Sequence, residues 1–196
     1  MPLDQKDFQV IPQKPLRQYG FTLMELLVTV SIVAILAAIG IPSLTETIKS
    51  NRITAQVNEF VLALNFARSE AIKRGVRVSL CKTSDAMTCI RDGAGSNWDQ
   101  GWIIFTNQDG DDIFDGADEA ILKVQDGAQN QITMTGSLLV DDMISYRPNG
   151  VISRPNGIVS ASGTIKVCDD RIGVEGKSIA INATGRSTIN TGVSCP

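Results

Sequence analysis

The chain has 196 residues, with 21 acidic and 18 basic side chains, a net charge of −3 and no histidine. This acidic balance is not the electrostatic footprint of a nucleic-acid-binding domain, which is usually basic. Without histidine, the commonest general base and the usual hydrolytic triad are absent. No glycine-rich phosphate loop follows a strand either, so we do not expect an enzyme.

The first feature along the chain is a leader, residues 1–20, followed by an apolar run over 21–41. The run reads FTLMELLVTVSIVAILAAIGI and carries Glu25 as its only charge. As a helix it is long enough to cross the ~30 Å hydrocarbon core of a bilayer. The basic residues beside the run are Lys6, Lys14 and Arg17. By the positive-inside rule the leader stays in the cytoplasm and everything after Ile41 is exported.

An ordinary secretory signal is the competing interpretation of this segment. It requires a small-residue cleavage site after the apolar run, and Ala37-Ala38-Ile39-Gly40 loosely fits. Against it, the run is longer than a usual signal core, and a helical pattern continues beyond Pro42. We therefore favour a membrane anchor that is kept after processing.

Placing the charged side chain of Glu25 inside a membrane-spanning helix costs free energy. Ionisable groups inside a spanning helix are normally paired and functional, so its partner should lie on another chain or at a nearby new amino terminus. Cleavage after Gly20 would create such an amine.

The stretch from Gly20 to Val28, GFTLMELLV, resembles the cleavage and methylation signature of type IV prepilins and type II secretion pseudopilins. The resemblance implies that prepilin peptidase cuts after Gly20 and that Phe21 becomes N-methylated. It also implies that Glu25 pairs with the terminal amine of a neighbouring subunit. The partners would be other major and minor pilins or pseudopilins, the peptidase and methylase, the inner-membrane assembly platform and membrane lipid. Many leaders of this family are shorter.

After Pro42 apolar residues recur at helical steps up to Gly75, which predicts an amphipathic helix. The predicted stripe is Leu44, Ile48, Val57, Phe60, Val61, Leu64, Ala67, Ala71 and Ile72. Pro42 lacks a backbone donor and follows Gly40 closely, so we expect a kink or local melting there. Resemblance to pilin-like subunits implies that this zone unwinds in a filament.

Beyond Gly75 the pattern changes to short strands separated by turn residues. The predicted strands are Val76–Leu80, Gly101–Thr106, Ala120–Val124, Gln131–Thr135, Ile144–Tyr146, Thr164–Val167 and Lys177–Asn182. Two turns are expected, at 148–150 and 155–157, because both read Pro-Asn-Gly. The predicted fold is α+β, with an antiparallel sheet or sandwich packed on the second half of a long helix. Its expected segments are leader 1–20, membrane half 21–42, amphipathic half 43–75 and periplasmic head 76–196.

Four cysteines, an even number, indicate disulfides in an oxidising compartment. Three pairings are possible, and we favour the sequential one. Cys81 with Cys89 would close a small loop, and Cys168 with Cys195 would attach the C-terminal tail to the head. A zinc site is the alternative, but there is no histidine and no pair has the close spacing of a zinc knuckle.

The head resembles the family of type II secretion pseudopilin H and the FimT/FimU minor pilins. The resemblance rests on RSEAIKRG at 68–75, the strand leading to Cys81, WDQGWIIF at 98–105, the acidic turn at 118–119 and Gly185-Arg186. It implies a minor subunit in the inner membrane that helps to initiate a type IV pilus or a secretion pseudopilus, or that forms part of its tip. Trp98 and Trp102 are expected to be core or edge anchors.

One loop has the intervals of a calcium site. Its oxygen donors are Asn107, Asp109, Asp111, Asp115 and Asp118. Asp112 stands where the sharp turn of such a loop needs glycine, and Asp118 is shorter than the usual bidentate glutamate. We therefore favour a solvated hairpin turn, with calcium as the alternative, and expect no other cofactor.

The alternative function is DNA capture for natural transformation, in which cations of the head would bind phosphates. DNA-binding FimT-like members resemble this chain at Gly185-Arg186, but Thr188 stands where they have a second arginine. The other cations considered are Arg147, Arg154, Lys166, Arg171 and Lys177. The acidic balance of the chain makes a solvated surface the simpler interpretation.

Overall fold

The structure is a computed structural model that describes residues 20–91, 97–111, 113–116, 118–128, 131–137, 139–153, 162–171 and 173–195. The charged residues of the leader, Arg154 and the predicted turn at 155–157 lie outside these ranges. The chain divides into two compact units, Met1–Leu44 and Thr45–Pro196, which we describe separately.

The first unit contains the start of helix α1, which spans Leu23–Arg74. By length and composition this helix could cross a membrane, since a stretch long enough to span the bilayer is strongly apolar. Gly40 and Pro42 are both helical, so the structure shows no break at these two residues. One missing hydrogen bond is a local cost, whereas separating a helix into two requires a second nucleation. Unwinding in a filament stays a prediction.

The second unit contains the rest of α1, a short 3-10 helix at Trp98–Gln100 and eight strands. The strands are β1 Arg77–Lys82, β2 Gly101–Asn107, β3 Ile121–Asp126, β4 Ile132–Gly136, β5 Met143–Tyr146, β6 Gly163–Asp169, β7 Glu175–Ile181 and β8 Ser187–Ser194. They form two antiparallel sheets of four strands, in the orders β3-β2-β1-β5 and β4-β6-β7-β8. The α+β prediction is confirmed, but β8 was not among the predicted strands, because it reads STINTGVS and resembles a loop in composition.

One face of α1 builds the core of this unit. Its buried residues are Ile53, Val57, Phe60, Ala63, Leu64, Ala67, Glu70 and Ala71. Three members of the predicted stripe are wrong, because Leu44, Ile48 and Ile72 are exposed. In the second unit the buried face of the helix starts only at Ile53, so Ile48 precedes the part of the helix that packs in the core.

Both tryptophans are core anchors, as predicted. Trp98 and Trp102 are buried and meet the ring of Phe60 edge-on, with centroids 5.2 and 6.2 Å away. The indole Nε1–H of Trp98 donates to the carbonyl of Val140 at 3.0 Å, so its buried polar group is satisfied.

Candidate functional site

The predicted processing junction lies at the start of the helix. Among the described residues, a side chain added at Gly20 would meet nothing within 4 Å, and Phe21 is 77% exposed. Thr22 caps the helix, because its Oγ1 accepts the backbone N–H of Glu25 at 3.2 Å. Glu25 is therefore in the first turn, where the helix dipole favours a negative charge. This cap was not predicted, although Thr-x-x-Glu is the sequence pattern of a capping box.

Arg68 joins the amphipathic half of α1 to two turns of the head that are far apart in the sequence. Its Nε donates to the carbonyl of Gly150 at 3.0 Å, and its Nη2 donates to that of Thr184 at 3.2 Å. Gly185 has a φ of 78°, and a Cβ there would collide with the Gly150 carbonyl oxygen. The arginine of RSEAIKRG and the glycine of Gly185-Arg186 are thus parts of one structural joint.

The cations considered for DNA capture are mostly engaged by the protein itself. Lys166 Nζ donates to the Ser194 carbonyl at 3.0 Å, and Lys177 Nζ donates to Thr54 Oγ1 at 2.8 Å. The Arg171 side chain is only 9% exposed. Arg186 is exposed on the turn between β7 and β8, while Arg147 is half-buried. The described residues therefore give DNA capture no specific support.

Arg171 belongs to an ion-pair group that we call the clasp: Glu46, Lys49, Asp169, Asp170 and Arg171. Arg171 contacts Asp169 at 2.6 Å and Glu46 at 2.7 Å, and Lys49 contacts Asp170 at 2.9 Å. Hydrogen bonds to Asp169 and then to Glu46 raise the pKa of Arg171 above its ordinary range. Burial alone would raise the pKa of Asp169, but its bonds with Arg171 outweigh burial and hold that pKa below its usual value. The clasp fixes the helix turn at 46–50 to the end of β6.

The structure contains the disulfides Cys81–Cys89 and Cys168–Cys195. Inside the first loop the carboxylate of Asp85 accepts the N–H groups of Met87 and Thr88, each at 2.8 Å, and the hydroxyls of Thr83 and Thr88. These bonds, led by that from the Met87 N–H, hold the pKa of Asp85 far below its ordinary value. The loop is thus fixed by a second internal restraint besides its disulfide.

The predicted calcium loop is organised by bonds to its own backbone. Asn107 Nδ2 donates to the carbonyl of Asp111 at 2.5 Å, Asp109 Oδ1 accepts the N–H of Asp111, and Asp111 Oδ1 accepts that of Ile113. Asp115 donates its N–H to Glu119, and the Asp118 carbonyl accepts from Gln108. Within the described ranges no group of three or more acidic or cysteine side chains is placed to hold a metal ion. Calcium therefore gains no support here.

Glu119 was not among the predicted site residues, yet the pKa of its carboxyl is raised. Burial is the main cause that raises its pKa to about 7. The hydrogen bond from the Asp115 N–H lowers the pKa, whereas repulsion from Asp109, Asp115 and Asp111 raises it further. Its Oε1 is buried without a hydrogen-bond partner among the described residues. The neutral, protonated form is thus the one this site prefers.

The helix followed by an antiparallel β head is the fold of a type IV minor pilin. Two crystal forms of the Pseudomonas aeruginosa minor pilin FimU match with TM-scores of 0.55 and 0.52, each at 20% identity. The first match covers 74% of this chain and 96% of FimU, and the second covers 73% and 99%. At this identity the likeness shows the fold alone.

The sequence comparisons give the family. The model described as type II transport protein GspH matches residues 56–185, and the prokaryotic N-terminal methylation motif matches 15–41. The chain therefore belongs to the GspH family of pilin-like proteins, as its resemblance predicted. A Pseudomonas aeruginosa protein described as fimbrial protein is 37% identical over 101 residues. That match covers 47% of this chain and 63% of the relative's length.

Proposed function

We propose that this chain is a minor pilin or pseudopilin. Such a subunit helps to initiate a fibre that is assembled from the inner membrane, or forms part of its tip. The observation that carries the proposal is a Gly20-Phe21 junction, with Glu25 in the first turn of a helix apolar enough to span a bilayer. The GspH and methylation-motif matches support it.

In this proposal the segments have separate tasks. Prepilin peptidase removes 1–20, and 21–42 anchors the chain in the inner membrane. The amphipathic half, 43–75, carries the head, 76–196, in the periplasm. The partners are other pilins or pseudopilins and the inner-membrane assembly platform.

Mass spectrometry of the membrane fraction tests the processing step. The expected product begins with N-methylated Phe21. An intact leader in cells with active prepilin peptidase would contradict the proposal.

Glu25→Val tests the assembly step. Insertion should be unchanged or improved, because the substitution removes a charge from the membrane segment. The fraction of the chain recovered with sheared fibres should fall strongly, whereas the similarly placed Thr29→Val should incorporate normally. Equal incorporation of Glu25→Val and wild type would remove Glu25 from the assembly mechanism.

A further inference from the structure

Strand β8 forms one edge of the second sheet and pairs on one side only, with β7, among the described residues. Its sequence, Ser187 to Ser194, contains no charged residue and no proline. Proteins usually protect such an edge, since its row of free N–H and C=O groups is a template for another strand.

The other three sheet edges are protected in the described part of the chain. On β4, the Met134 N–H donates to Asp99 Oδ1 at 2.9 Å. On β5, the carbonyl of Ser145 accepts the N–H of Ser153 at 3.0 Å. The third edge strand, β3, carries Lys123.

The pairing of β8 with β7 has an irregular register at Gly176, and Lys166 donates to the last carbonyl of β8, that of Ser194. From Ser187 to Thr191, however, the edge of β8 is open and uncharged among the described residues, which distinguishes this part of the edge from the other three.

The hairpin between β7 and β8 shows which groups face the open edge. Asn182 donates its N–H to the Arg186 carbonyl at 3.0 Å, which makes this a hydrogen-bonded pair. Antiparallel pairs alternate, so the N–H and C=O groups of Ser187, Ile189 and Thr191 point away from β7. On the core side Ile189 is 43% exposed, although its cross-strand partner Ile179 is fully buried. An added strand would pair with these groups and cover Ile189.

We propose that β8 is a strand-addition site that takes an extended, uncharged segment of a neighbouring, different subunit of the fibre. This inference rests on the proposed function. A second copy is the wrong occupant, because antiparallel β8–β8 pairing requires a two-fold axis perpendicular to the sheet. That axis would reverse the direction of the helix residues 53–71 that line the core of this unit, whereas subunits of one fibre share one direction.

Three substitutions at Ile189 in the full chain test the proposal in cells. Ile189→Pro removes one outward N–H, which an edge strand tolerates, and Ile189→Lys adds a charge to the edge. Ile189→Thr is the control, because it keeps the N–H and the β-branch. We expect the fibre-associated fraction to fall by on the order of tenfold in the Pro and Lys variants and to stay normal in the Thr variant. Thermal unfolding in detergent should show that the Lys variant is as stable as wild type.

The outcomes separate this inference from the proposed function. Wild type missing from the fibres would contradict both. Normal incorporation of wild type and of the Pro and Lys variants would overturn strand addition alone, and an equal loss in the Thr variant would assign the effect to the Ile189 side chain instead. Amide exchange of the detergent-solubilised chain gives a further test: Ile189 and Thr191 should exchange fast, and Thr188 and Asn190 slowly. Slow exchange at Ile189 in this monomer would show that the edge is already covered, and would overturn the proposal.

Discussion

At the scale of single residues, Gly185 shows that a turn glycine is required for two separate reasons. Its φ of 78° lies where a side chain is strained, and its Cα faces the Gly150 carbonyl oxygen so closely that a Cβ does not fit. Gly173 has a similar φ of 72°, but a Cβ there would have no neighbour within 4 Å among the described residues. The two glycines therefore separate backbone strain from collision.

We predict that Gly185→Ala lowers the free energy of unfolding by about 2–3 kcal/mol, and Gly173→Ala by about 1 kcal/mol. Urea unfolding of the full chain in detergent measures both. Equal losses would show that the turn moves away from Gly150 at no cost.

Glu119 provides a pH-dependent prediction. Its pKa is raised to about 7 from an ordinary 4.5, so the folded chain binds this proton more tightly than the unfolded chain does. Its contribution to stability is therefore lost as the pH rises from about 5 through 7. Glu119→Gln should stabilise the protein by about 1 kcal/mol at pH 8 and by almost nothing at pH 5.

Melting temperatures at the two pH values measure this difference, with the exposed Asp118→Asn as control. A gain for Glu119→Gln that is equal at both pH values would contradict a raised pKa.

At the scale of elements, the clasp holds a part of α1 that apolar packing does not. Residues 46–50 precede Ile53, the first helix residue that is buried, and the side chains of Asp169 and Arg171 are 7% and 9% exposed. Removing one partner of such a pair leaves the other charge buried and unpaired.

We predict that Arg171→Met costs about 2–3 kcal/mol, whereas Glu46→Gln costs less than about 1 kcal/mol, because Glu46 is largely solvated. Urea unfolding measures the losses, and amide exchange of residues 46–52 should speed up in the Arg171 variant. Unchanged exchange there would mean that the clasp does not hold this part of the helix.

The elements also show where prediction from the sequence ends. Helix α1 and seven strands carry apolar patterns, and the structure contains all of them with shifted ends. β8 was missed because a half-covered edge strand has no alternation of buried and exposed residues to read. The clasp and the Arg68 joint were missed because they connect residues about 80 to 125 positions apart, which spacing along the chain does not report.

At the scale of the whole molecule, the two disulfides restrain loops of different length. Cys81–Cys89 spans 8 positions, and Cys168–Cys195 spans 27. A disulfide that closes a longer loop removes more conformational freedom from the unfolded chain. Removing Cys168–Cys195 should therefore lower the free energy of unfolding by about 3.5 kcal/mol, and removing Cys81–Cys89 by about 2.5 kcal/mol. Gly176 lies directly against the sulfur of Cys195, so the second bridge also fixes the end of β8 to β7.

Serine replacement of each pair, followed by urea unfolding, measures these losses. A larger loss for the Cys81–Cys89 pair would show that its contribution to stability comes mainly from the hydrogen-bonded Asp85 loop and not from the entropy of the unfolded chain.

The cap at Thr22 fixes where the helix begins, and this determines the electrostatic effect of cleavage after Gly20. Cleavage after Gly20 would give Phe21 a free amine. Because the helix begins at Leu23, this amine would belong to a non-helical residue next to the positive end of the helix dipole. Peptide-bond cleavage would then place a positive charge where the helix disfavours it, within an apolar segment. A carboxylate from an adjacent subunit would neutralise that charge, so the free energy released by neutralisation would make the processed chain more stable inside a fibre than alone in the bilayer.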